Sequence, residues 1–194
     1  MDKKNCRECL HALKEQTAKC AACPLATLGR SQVVFGHGNP EARLMFVGEG
    51  PGRDEDKQGF PFIGRAGQLL TKIIEAMKLT REDVYISNVV KCRPPNNRVP
   101  LPTESNVCKQ LILFKEIDII KPEIICTLGA TAAAALLGDL TSLGRVRGTW
   151  CEFKGIPVMP TYHPAYLLRN PEAKRIVWND VQKIMAKLDI SLAK

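Results

Sequence analysis

Three polar side chains stand at or just after the ends of apolar runs, and their types suit base recognition and acid–base chemistry. Glu49 follows residues 44–47, Asn88 lies within the run at residues 84–90, and His163 comes after residues 156–159. Short apolar runs are typical of buried strands, and the sites of open α/β sheets lie where strands end. We therefore expect these three side chains to meet at one edge of a sheet.

The loop after the first run combines glycines with carboxylates. Gly48, Gly50 and Gly52 directly follow four apolar residues, and acidic residues occupy position 49 and positions 54–56. Glycine clusters after a strand indicate a loop that brings backbone close to a ligand. This stretch is the first candidate for the chemistry of the protein.

The elements that must position these residues alternate between strand and helix. Strands are predicted near residues 43–47, 84–90, 124–128 and 156–159, with a hairpin strand at 149–153. Helices are predicted near residues 66–77, 103–120, 130–137 and 172–188. This order predicts an α/β fold: a three-layer sandwich around a mostly parallel, four-stranded sheet. The length predicts one domain over residues 1–194, with a cysteine-rich segment at 1–30.

The composition predicts a cytoplasmic protein with a polyanionic partner. The formal net charge is +8, and Lys and Arg displace counterions from phosphate. The first residues carry no apolar signal segment, and no apolar run reaches the length of a membrane span. We expect a monomer that does not act at a membrane.

The cysteines predict a metal site. In the N-terminal segment they form two C-x-x-C pairs, Cys6 with Cys9 and Cys20 with Cys23. All four could bind zinc, although the pairs are close together for a zinc ribbon. Alternatively, Cys20 and Cys23 could join Cys92 and Cys108 around an iron–sulfur cluster. Spacing alone leaves both sets open.

Together these motifs resemble the family four uracil-DNA glycosylases. The resemblance rests on an ordered set: residues 48–52 (GEGPG), 61–67 (PFIGRAG), Asn88 and 163–167 (HPAYL), with 92–98 (CRPPNNR) and Cys108 as the cluster segment. It implies uracil-containing DNA, single- or double-stranded, as the partner, and no nucleotide cofactor. It also implies a [4Fe–4S] cluster on Cys20, Cys23, Cys92 and Cys108, with Cys6 and Cys9 left over.

The resemblance further implies a role for each residue of the site. An enzyme acting on a base in duplex DNA must flip it into a pocket. Phe62 would stack on the flipped ring, Asn88 would read the uracil edge, and His163 would stabilise charge at uracil O2. The Glu49–Gly50 backbone would serve the same oxygen. A carboxylate would position the water, and the choice between Glu49 and Glu55 stays open.

Other residues are expected to contact the DNA itself. Residues 163–167 also resemble the glycosylase loop whose leucine enters the minor groove, which implies that Leu167 is an apolar wedge that fills the space left by the flipped base. Phosphate contacts are predicted for a set of basic residues: Lys91, Arg145, Arg147 and Arg169.

Three other functions compete with uracil excision. One is a uracil-DNA-binding relative that becomes covalently trapped, but residues 142–148 (SLGRVRG) lack the histidine that such relatives carry. A second is a glycosylase that also accepts hypoxanthine or xanthine. The third is a non-catalytic, zinc-containing nucleic-acid-binding module, which would leave the Gly48–Gly52 loop and His163 without a purpose.

Overall fold

A six-stranded sheet forms the centre of the computed structural model, which describes residues 3–138 and 142–191. Its strands are β1 (His37–Gly38), β2 (Leu44–Gly48), β3 (Tyr85–Asn88), β4 (Ile124–Leu128), β5 (Cys151–Phe153) and β6 (Ile156–Thr161). The order across the sheet is β1-β3-β2-β4-β6-β5. The four inner strands pair in parallel, whereas β1 and β5 are antiparallel edges. The predicted parallel four-stranded sheet is thus confirmed as the inner part of a wider mixed sheet.

Helices cover both faces of this sheet. They are α1 (Lys3–Thr17), α2 (Arg53–Gln58), α3 (Arg65–Ala76), α4 (Pro102–Cys108), α5 (Phe114–Ile120), α6 (Ala130–Leu137), α7 (Leu143–Val146), α8 (Pro164–Arg169) and α9 (Ala173–Lys187). Residues of α1, α5 and α6 share one hydrophobic core, and residues of α3, α8 and α9 share the other. The predicted three-layer sandwich is confirmed. Within the described ranges, no helix has the length and apolar character needed to cross a membrane.

Strand β2 supplies both cores because it is buried along its whole length. Leu44 and Phe46 point into the core formed with α3 and α9, whereas Met45 and Val47 point into the core formed with α1 and α5. Successive side chains of a strand alternate between faces. A fully apolar run is therefore what a central parallel strand requires.

The helix predicted at residues 103–120 is interrupted. Between α4 and α5 the backbone forms a π turn, Lys109–Leu113, which begins immediately after Cys108. Turns of this kind are uncommon and often lie at functional sites.

The cysteine-rich segment is joined to the rest of the fold. Leu10 and Leu13 of α1 lie in the same core as Ile117, and Leu25 is fully buried there. The backbone N–H of Val34 donates to the carbonyl oxygen of Lys91 at 2.7 Å. These contacts agree with the predicted single domain over residues 1–194, which stays a prediction.

Candidate active site

One pocket lies where β2, β3 and β6 end. Its volume is about 490 Å³. Its lining contains every residue predicted to bind uracil or to act in catalysis: Glu49, Gly50, Glu55, Phe62, Asn88 and His163. Parallel strands end at the same edge of a sheet, which brings together side chains that are far apart in sequence.

Phe62 forms part of the pocket from a strained turn. Its φ is +54°, a backbone angle that residues other than glycine seldom adopt. Arg81 donates to the carbonyl oxygens of Phe62 and Pro61 at 3.0 and 2.9 Å. A Cβ at Gly67 of α3 would overlap the Phe62 carbonyl group. The sequence motif included Gly67, but it gave no sign of Arg81.

Glu55 holds the same turn from the other side. Its Oε1 accepts hydrogen bonds from the backbone N–H groups of Ile63 at 3.0 Å and Gly64 at 2.8 Å. A carboxylate that accepts two backbone bonds is fixed in place. Glu55 thus shapes the loop that presents Phe62.

Asn88 lines the pocket and, within the described part of the chain, carries an acceptor without a partner. The residue is 2% exposed, and its Oδ1 has no hydrogen-bond partner among the described residues. The backbone beyond it is bound to the glycine loop, because Val89 and Val90 donate to the carbonyl oxygens of Gly48 and Glu49 at 2.9 and 3.1 Å. Buried polar atoms are nearly always paired, so this oxygen marks a place for a ligand donor.

His163 and Phe62 are neighbours in the pocket lining, with 5.5 Å between their ring centroids. Its Nδ1 accepts a hydrogen bond from the backbone N–H of Ala165 at 3.1 Å. Burial, with a smaller contribution from Arg169, lowers the pKa of His163 to about 4. The ring is therefore neutral near pH 7, and because Nδ1 is an acceptor, the proton is on Nε2.

Glu49 is held by a residue from a neighbouring element. One carboxylate oxygen, Oε2, accepts a hydrogen bond from the hydroxyl of Thr131 in α6. Among the residues that the structure describes, no backbone N–H donates to the other oxygen in the way that two hold Glu55. The sequence gave no sign of Thr131, because the two residues are separated by more than eighty positions.

Comparison with known proteins assigns the family. The model of the uracil DNA glycosylase superfamily matches residues 35–182. The type-5 uracil-DNA glycosylase of Pyrobaculum aerophilum is 31% identical over 183 residues, covering 78% of this chain and 80% of that protein. The type-4 enzyme of Sulfurisphaera tokodaii is 45% identical over 184 residues, covering 90% and 83%. The type-4 enzyme of Thermotoga maritima is 50% identical over 180 residues, covering 91% and 93%. The chain belongs to the type-4 uracil-DNA glycosylases.

Two residues predicted to contact DNA are buried in this type-4 glycosylase, so their predictions were wrong. The side chain of Lys91 is fully buried against Glu116 and cannot reach a phosphate. Leu167 is 1% exposed and belongs to the core between α3 and α9, so it is not a wedge. Its neighbours Tyr166 and Leu168 are each 39% exposed.

The predicted arginines differ in their surroundings. Arg145 and Arg169 are exposed, as a phosphate contact requires. Arg147 is committed to Asp180, to which it donates at 2.8 and 2.9 Å, and its guanidinium lies over the Tyr162 ring. Sequence reasoning missed four arginines that line the pocket, although three of them lie within the quoted motifs: Arg53, Arg65, Arg93 and Arg98.

Four of the cysteines line one small cavity on the other side of the loop at residues 92–98. They are Cys20, Cys23, Cys92 and Cys108. Arg30 donates to Cys92 Sγ at 2.7 Å, and the Lys91 backbone N–H donates to Cys108 Sγ at 3.3 Å. Burial raises the pKa of Cys92 and raises that of Cys108 to about 12.

The remaining N-terminal pair lies elsewhere. Cys6 and Cys9 belong to α1, where their thiols contact the Ile119 carbonyl oxygen and the Asn5 side chain. Neither lines the cavity. Across residues 3–138 and 142–191, no three His, Cys, Asp or Glu side chains are grouped as a single metal ion requires. The arrangement favours the second predicted cysteine set over a zinc site on the four N-terminal thiols.

Proposed function

We propose that this protein excises uracil from DNA by hydrolysing its N-glycosidic bond, which leaves an abasic site. The observation that carries the proposal is the unpartnered Oδ1 of Asn88 in a pocket with Phe62 and His163. The type-4 uracil-DNA glycosylases that this chain resembles act, by their names, on the same substrate.

The Asn88 amide complements uracil and opposes cytosine. Its Oδ1 would accept from N3–H and its Nδ2 would donate to O4. Cytosine presents an acceptor at N3 and an amine at C4, so both contacts would fail. A site built to pair buried polar groups rejects analogues that leave those groups unpaired.

His163 would act on the leaving group. The bond between N1 and C1′ breaks with its electron pair on the base, so negative charge develops on uracil while the sugar becomes cationic. The Nε2–H of a neutral His163 would donate to O2 as that charge grows. The backbone at Gly50 would lie beside the same oxygen.

Glu49 is the better candidate to position the water. Glu55 already binds two backbone N–H groups, whereas Glu49 is oriented by Thr131 through one oxygen. The other oxygen would accept a proton from water as the water oxygen bonds to C1′. Glu55 is then a positioning residue that holds the Phe62 turn.

The four thiols at the cavity fit a [4Fe–4S] cluster. Thiolates are the ligands of such clusters, and donors like Arg30 and the Lys91 N–H stabilise the sulfur atoms. The raised pKa values of Cys92 and Cys108 mean that binding must displace their protons. When bound, the cluster would cross-link the N-terminal segment to the loop that carries Arg93.

The test combines a spectrum with a cleavage assay on one sample. Protein purified without oxygen is scanned in the visible range and then incubated with oligonucleotides that contain one uracil, thymine or cytosine, followed by alkali. We expect the broad absorption of thiolate-bound iron and strand cleavage at uracil alone. A colourless protein that contains zinc and leaves the uracil strand intact would overturn the proposal and favour a binding module.

A further inference from the structure

A buried ion pair lies next to the backbone of Asn88, the residue of the pocket lining that is proposed to recognise the base. Lys91 Nζ and Glu116 Oε2 are 2.7 Å apart, and both side chains are 0% exposed. Neither residue lines the pocket, so neither touches the substrate or the water. The proposed chemistry gives this pair no task.

The pair is attached to the backbone of Asn88. Lys91 Nζ donates to the Asn88 carbonyl oxygen at 2.8 Å and also contacts the Ser87 hydroxyl. The same hydroxyl donates to Glu116 at 2.7 Å. On the other side of this peptide, the Val89 N–H donates to Gly48 at 2.9 Å. The peptide group between Asn88 and Val89 is therefore held at both its carbonyl oxygen and its amide nitrogen.

Glu116 is itself fixed by strand β3 and by the residue that precedes β1. Its second oxygen, Oε1, accepts from the Gly36 N–H at 3.0 Å and from the Tyr85 hydroxyl at 3.2 Å. Every polar atom of the pair thus has a partner. A fully paired network in a low-dielectric interior restricts its members to one geometry.

Stability alone gives a weak reason for such a pair. Removing two charges from water is costly, and replacing a buried ion pair by neutral side chains of similar size is often neutral or stabilising. However, the hydrogen bond from the charged Lys91 to the Asn88 carbonyl oxygen fixes the backbone from which the Asn88 side chain projects. An apolar side chain in place of Lys91 could not form this hydrogen bond.

We propose that Lys91 and Glu116 are positioning residues that hold the Asn88 peptide so that its amide meets the uracil edge. This inference rests on the proposed function of the pocket. A displacement of about 1 Å in such a group can lower a rate by about a hundredfold. Loss of the pair is therefore expected to slow excision roughly 10- to 100-fold.

The test uses the double variant Lys91→Met with Glu116→Gln. It preserves side-chain volume and leaves no unpaired buried charge, but it removes the donor to the Asn88 carbonyl. Tyr85→Phe is the matched control, because it removes a bond to Glu116 and leaves the Lys91–Asn88 contact intact. Four quantities are measured: the single-turnover rate on uracil DNA, affinity for uracil-free DNA, the thermal midpoint, and amide hydrogen exchange at Val89 and Val90 in DNA-free protein.

We expect the double variant to lose rate, to exchange the Val89 and Val90 amides at least about tenfold faster, and to keep both its affinity for uracil-free DNA and its thermal midpoint. Tyr85→Phe should match the wild type in rate and in exchange at these amides. An unchanged rate, or a slowed rate with unchanged exchange, would overturn the inference. If the double variant does not fold, Ser87→Ala removes a shared contact of the pair, and we expect the same pattern with smaller changes.

Failure of the proposed function would look different. A wild-type protein that excises no uracil overturns that function, whatever the variants do. The exchange measurement would still decide whether Lys91 fixes the Asn88 peptide, because it needs no substrate.

Discussion

Replacing Asn88 by alanine tests the base-reading contact directly. The residue is 2% exposed, and no group within the described residues forms a hydrogen bond with its Oδ1. Without the amide, N3–H and O4 of a flipped uracil would be buried without partners. Each such loss costs about 1–3 kcal/mol, so two amount to about 2–6 kcal/mol. At about 1.4 kcal/mol per tenfold, excision should fall by roughly 30-fold to 10⁴-fold.

The assay separates this effect from loss of DNA binding. Single-turnover excision is measured with enzyme in excess, and affinity is measured on an oligonucleotide without uracil. That affinity should be unchanged, because it comes from phosphate contacts that do not involve Asn88. Thr127→Val is the matched control, since Thr127 Oγ1 is also buried without a partner but does not line the pocket.

Two results would refute the reasoning. The first is an Asn88→Ala rate within a few fold of the wild type, which would mean that the amide does not read the base. The second is an equal loss of excision and of affinity for uracil-free DNA, which would mean that Asn88 holds the structure. Thr127→Val should keep its activity in either case.

Three further predictions concern other parts of the molecule. His163→Ala should slow single-turnover excision about 10²- to 10³-fold. Burial holds the pKa of His163 at about 4, so the neutral ring persists above that pH; a wild-type rate that titrates near 6.5 would contradict this. Leu167→Ala should lower the free energy of unfolding in urea by about 2–5 kcal/mol, whereas the exposed Leu168→Ala should not, and equal effects would contradict the assigned burial. Cys108→Ser should abolish the visible absorption of the anaerobic protein and Cys6→Ser should leave it, while equal bleaching would contradict the assigned thiols.

The inner sheet could be predicted because its strands carry their pattern locally. Strand β2 contains no polar side chain and β4 contains only that of Thr127, and both strands are buried throughout. Edge strand β1 contains only His37 and Gly38, which have neither apolar character nor alternation. Its pairing depends on the position of β3, a tertiary fact that the local sequence does not contain.

The residues that line the pocket could be predicted for a similar reason. The buried residues that pack behind the pocket could not. Parallel strands deliver Glu49, Asn88 and His163 to one edge whatever the details of packing. Lys91 was expected at the surface because an isolated lysine usually is; its partner Glu116 lies on another element. Leu167 was assigned by resemblance to a motif, but the way α8 packs decides which of its leucines is buried.

The π turn at Lys109–Leu113 gives this stretch one residue more than a regular helix would need between Cys108 and Glu116. Successive residues of an α-helix are rotated by about 100°, and a π turn holds one residue more than the α-helical turn it replaces. Cys108 faces the thiol cavity before the turn, and Glu116 faces Lys91 after it. Because the π turn absorbs one extra residue, deleting one residue here would restore a regular helix and leave these two side chains close to their present relative orientation. A single-codon deletion would therefore keep Cys108 at the thiol cavity and Glu116 beside Lys91, although it removes one residue between them.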